Sequence, residues 1–109
     1  MIPEDYELRI RAAWQGRISG CMLGKAVELF SMRQGTDALQ SYLDDVQALP
    51  LRDYIPYDAE RAPSILLKEC CQKEMNVSLA DDDINYSVLA LMLLEAHGTQ
   101  LQTEDVARA

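Results

Sequence analysis

Residues 82–96, "DDINYSVLALMLLEA", place the tightest constraint on how this chain can fold. Ile84, Val88, Leu89, Leu91, Met92, Leu93 and Leu94 leave a helix here with almost no polar side. A helix that is apolar all round is expected to be buried on all sides, so the segment predicts an interior helix with other helices around it. His97 and Gly98 supply its stop, the glycine standing just past the last helical residue. Directly before the apolar run stand three carboxylates, Asp81, Asp82 and Asp83. Like charges in front of a buried segment require a physical reason.

The remaining elements also read as helices. From Asp5 to about Phe30, Leu8, Ile10, Ala12, Ala13, Ile18, Met22, Leu23 and Val27 recur at intervals near three and four, as in one helix or two joined ones. Thr36 or Asp37 is the expected N-cap of a second helix, in which Leu39, Leu43, Val46 and Leu49 share one side and Pro50 marks the end. Pro50, Pro56 and Pro63 punctuate a loop. "SILLKECCQKEM" then predicts a further helix capped by Ser64, with Asn76 suited to a left-handed position at its end. After Gly98, Thr103 as N-cap with Glu104 and Asp105 in the first turn announces a last helix. Only about two turns of it precede Ala109, which reads as a truncation. No alternating strand pattern, repeat, low-complexity tract or glycine-rich phosphate loop interrupts this series. The expected fold is all-α with about four to five helices, residues 1–109 forming the N-terminal part of a single domain.

Charge narrows the function classes. A formal net charge of −8 and the sparse grouping of Arg9, Arg11 and Arg17 argue against a nucleic-acid partner, which needs clustered cations to neutralise phosphates. There is no apolar run long enough to span a bilayer, and residues 1–7 are acidic rather than signal-like, so no membrane association and a cytoplasmic location are expected. Cys21, Cys70 and Cys71 cannot all pair, and adjacent cysteines would form a strained bridge. Reduced, mostly buried thiols are expected. A zinc site is not, because His97 is the single histidine and no second cysteine pair accompanies it.

Gly16, Gly20 and Gly24 fall at intervals of four and continue one turn later to Glu28. On a helix they form a strip without side chains. Each glycine costs roughly 1 kcal/mol against alanine in a helix interior, so the strip implies close approach of another helix or of a ligand. The aspartates have two readings. Acidic residues at a helix start are commonly caps and solubilising charge, favoured by free amides and the macrodipole. If that start meets the interior, three ionised carboxylates need a compensating cation. Mg²⁺ and Mn²⁺ take oxygen ligands, and consecutive residues at a helix start fan about 100° apart, so three carboxylates could serve two neighbouring ions. The alternating ligands and central glycine of an EF-hand loop are missing, which speaks against a calcium sensor.

"GRISGCMLGKAVE" and "DDDINYSVLALMLLEAHG" resemble the N-terminal helix and the first metal motif of the ADP-ribosylglycohydrolases, in the expected order, and "TEDVARA" is similar to the start of the next family helix. The resemblance implies an all-α fold with two Mg²⁺ or Mn²⁺ ions that hydrolyses ADP-ribose from protein side chains or small molecules. On the family pattern, a Ser or Thr followed by two Asp, Asp82 and Asp83 match the two ligand aspartates. Asp81 replaces the hydroxyl residue with another oxygen donor carrying a charge. The resemblance further implies that Asp82 and Glu28 take part in catalysis, that Glu28 also contacts substrate, and that Asn85 and Tyr86 face the pocket. Tyr86 has packing as its alternative role. The family's remaining ligands come from a second Asp-rich motif towards the C-terminus, which these 109 residues lack. The chain alone is therefore expected to be inactive, its partners being an ADP-ribosylated substrate in the complete enzyme and a missing C-terminal half. The alternative is a non-catalytic helical module that self-associates or docks a partner through apolar helix surface.

Overall fold

The computed structural model describes residues 3–109 and is dominated by α-helix, in agreement with the all-α expectation. The chain divides into two compact units, residues 1–79 and 80–109.

In the first unit, helix α1 runs unbroken over Tyr6–Gln34. Arg9 Nε lies 2.9 Å from both oxygens of Asp5, one turn earlier, and so ties down the helix start. Its first half stays largely exposed, and burial begins with Met22, Ala26 and Phe30, three residues at the helical interval of four. Gly35 ends α1 at φ 86°, a conformation that favours glycine, and its N–H donates to the Ser31 carbonyl at 2.9 Å. The same glycine precedes α2, Thr36–Asp45, so a single residue makes the turn between two helices. Thr36 is thus the first helical residue rather than the cap.

Helix α2 ends earlier than its apolar spacing suggests. Gln47 adopts φ 55°, its N–H donates to Asp44 O at 2.9 Å, and Ala48 N–H donates to Leu43 O at 2.8 Å. This paired closure is a Schellman motif with glutamine in the left-handed position. It satisfies two terminal carbonyls before Leu49 and Pro50 are reached.

Tyr42 and Leu43 from α2 join Met22, Ala26 and Phe30 in the core, together with Ile55, Leu66, Cys70 and Cys71. The Phe30 and Tyr42 rings meet edge to face, with centroids 6.0 Å apart. The Tyr42 hydroxyl donates to Pro56 O at 2.8 Å and accepts from Asp58 N–H at 3.3 Å, so its buried oxygen is partnered on both sides.

The helix expected over 64–76 does not form. Leu67 N–H donates to Ala26 O of α1 at 3.1 Å, and Gln72 N–H donates to Ile55 O at 2.8 Å. Only a single 3₁₀ turn, Lys68–Cys70, remains, followed by extended backbone at Cys71 and a left-handed Lys73 at φ 67°, where Asn76 had been the expected left-handed residue. Two amides that a helix would use internally are thus spent on distant carbonyls, and the turn packs two adjacent cysteines into the core. A parallel bridge between Pro56 and Gln72 is an isolated pairing, and no strand forms among the described residues.

The second unit holds α3, Asp82–His97, a 3₁₀ turn over Gly98–Gln100 and α4, Thr103–Arg108. Gly98 closes α3 at φ 59° with its N–H on Leu94 O, as the sequence predicts. Helix α4 is capped one residue before the expected Thr103. Gln102 is the N-cap, its N–H donating to Asp105 Oδ2 at 3.0 Å while its side chain accepts from the Asp105 amide. The expectation of an enclosed α3 is corrected: none of its residues is buried. Tyr86 (69%) and Met92 (59%) are well exposed, and Val88, Leu91 and Leu94 are also exposed. A sixteen-residue helix with one short companion has too little surface within its own unit to cover a stripe on every side.

Candidate functional site

Asp81 to Asp83 sit at the mouth of α3. Asp81 is the N-cap, with extended backbone at φ −148° and ψ 138°, and its Oδ1 accepts from Asp83 N–H at 3.0 Å. Its carbonyl accepts the first helical bond, from Asn85 N–H at 2.9 Å. Asp81 is buried, whereas Asp82 and Asp83, in the first turn, are exposed. Their negative charges lie where the helix dipole is most positive. The capping reading of these residues is therefore realised for Asp81. Asp82 and Asp83 are not used as caps and present two adjacent carboxylates to the surroundings. Carboxylate oxygens as a class suit hard cations such as Mg²⁺ and Mn²⁺.

The cap has a measurable consequence. Replacing Asp81 with alanine is expected to cost about 1 kcal/mol of α3 stability, and Asp81→Ser is expected to recover most of it, because a serine oxygen also accepts from the third residue's amide. Helicity followed by circular dichroism on thermal unfolding checks this. Equal loss in both variants would show that the carboxylate charge, rather than the cap bond, stabilises the helix start.

Asn85 and Tyr86 are both exposed, so Tyr86 is not a packing residue. Glu28 belongs to the first unit, on α1, where it is exposed between the buried Ala26 and Phe30. The glycine strip lies on the same helix. Apart from the helix's own neighbouring backbone, no atom of the first unit comes within 4 Å of the position a Cβ would occupy at Gly16, Gly20 or Gly24, so α2 does not pack against the strip. Of the two reasons considered for the strip, close helix packing is not realised within the first unit.

Other titratable groups of the first unit have structural roles. Asp58 lies below the ordinary carboxylate range because the Glu60 amide, the Arg61 side chain and the Arg61 amide all donate to it. The resulting turn organises the loop after Pro56. Burial raises the pKa of Tyr42 and pushes the Cys71 thiol up to about 11, with Cys70, Glu74 and Glu69 adding to the effect at Cys71. None of the three cysteines is in a disulfide, and Cys70 and Cys71 are fully buried, as the composition led one to expect. A thiol held protonated in this way is a poor nucleophile, which fits a structural role. A surface depression of about 280 Å³ between α1 and α2 is lined in part by Phe30, Tyr42, Asp45 and Arg61, and does not take in Glu28.

The fold and these residues define a class: an all-α chain whose conspicuous chemistry is a row of carboxylates at a helix start. No helix is long and apolar enough to cross a membrane among the described residues. Comparison with protein-family models, with curated proteins and with solved structures finds no match.

Proposed function

We propose that the chain is the N-terminal part of a metal-dependent hydrolase of the ADP-ribosylglycohydrolase type, cytoplasmic and inactive by itself. The observation that supports this reading most is the division of labour at α3: Asp81 caps the helix, and Asp82 and Asp83 remain exposed as oxygen donors. Paired Mg²⁺ or Mn²⁺ ions supply, when bound, a water of lowered pKa and a hold on the sugar hydroxyls. In this reading Asp81, Asp82 and Asp83 would hold the metal. Asp82 also handles a proton and Asn85 orients the glycoside, while the role of Glu28 rests on the family resemblance alone. Three carboxylates give each of two ions only part of a shell, and Mg²⁺ sheds water reluctantly, so binding by these residues alone is weak.

Two measurements test the proposal. The purified 109-residue chain is expected to release no ADP-ribose from an ADP-ribosylated arginine substrate with Mg²⁺ or Mn²⁺ present, and measurable turnover would refute the inactivity. Mn²⁺ titration is expected to give a weak isotherm that disappears when Asp82 and Asp83 are both replaced with alanine. An isotherm unchanged by that double replacement would remove the site.

A second reading is favoured by a separate observation, the exposure of Val88, Leu91, Met92 and Leu94 along α3. Here the chain is a non-catalytic helical module that self-associates or docks a partner, because a contiguous apolar face left in water favours association. Sedimentation across a hundredfold concentration range distinguishes the two forms of this reading, and a strictly monomeric chain excludes self-association.

A further inference from the structure

We draw no further inference here: the strongest candidate, the exposed apolar face of α3, already belongs to the docking reading above, and nothing in the structure shows what covers it.

Discussion

Replacing Phe30 with alanine is expected to remove about 3–5 kcal/mol from the stability of the first unit, the range for truncating a fully packed aromatic side chain. Phe30 is 3% exposed and stands where α1, α2 and the Pro63 region converge, with its ring set edge-on to Tyr42. The loss combines the transfer of the ring, the cavity left behind and the ring pair itself. Small domains have about 5–15 kcal/mol in total, so such a loss takes a large share of the margin. Leu8 lies on the same helix but is 68% exposed, and Leu8→Ala is expected to change stability by no more than about 0.5 kcal/mol. Urea unfolding followed by circular dichroism measures both. A Phe30→Ala loss close to that of Leu8→Ala would mean that the core described here does not hold α1. The result also bears on function, because Phe30 lies just after Glu28 and anchors the stretch of α1 that presents it.

Raising the pH from 8 to 11 is expected to destabilise the first unit through Cys71. Burial places its folded-state pKa at about 11, against an ordinary value of 9.0. A group whose folded pKa is raised contributes stability that is complete below the unfolded pKa and is lost as pH climbs towards the folded one. The window is therefore about pH 9 to 11, and the size is on the order of 2 kcal/mol. Tyr42, also raised by burial, acts with the same sign. Urea midpoints at pH 8 and pH 11 for the native chain and for Cys71→Ala isolate the thiol together with its coulombic effect on Tyr42 and Cys70, the remaining alkaline effects being common to both. The variant is expected to start lower at pH 8 and to fall less. Parallel declines would show that the Cys71 thiolate is accommodated in the folded state.

Helix starts and stops were legible where the responsible bonds are local. Asp81 before α3 and Gly98 after it act within four residues of the backbone groups they satisfy, and the sequence places them correctly. The ends of α2 and α4 were displaced for an equally local reason: Gln47 takes the left-handed position without being glycine or asparagine, and Gln102 serves as a cap in place of the more usual threonine beside it. The segment 64–76 failed differently. Its apolar spacing suits a helix, but Leu67 and Gln72 direct their amides to Ala26 and Ile55, carbonyls far away in the chain. No periodicity within the segment encodes those partners.

At the candidate site, the sequence located the three adjacent carboxylates and the helix they open. Residue type alone could not say which of them caps the helix, since Asp81, Asp82 and Asp83 are chemically identical. That division came from backbone conformation: extended at Asp81 and helical from Asp82 onward, so that one carboxylate turns onto the Asp83 amide and two do not. The glycine strip was equally visible, but its openness is a property of what surrounds α1.

The sequence by itself determined that this chain is helical, where α1 and α3 lie, and which residue types are available for hard-cation chemistry. These follow from spacing, capping and donor identity, which act over a few residues. Tertiary structure alone decided that 64–76 unwinds, that Cys70 and Cys71 complete a core with Phe30 and Tyr42, and that α3 keeps Val88, Leu91, Met92 and Leu94 exposed. Burial depends on which surfaces meet, and hydrogen-bond choice depends on which distant carbonyls are near, so neither is fixed by the composition of a single segment.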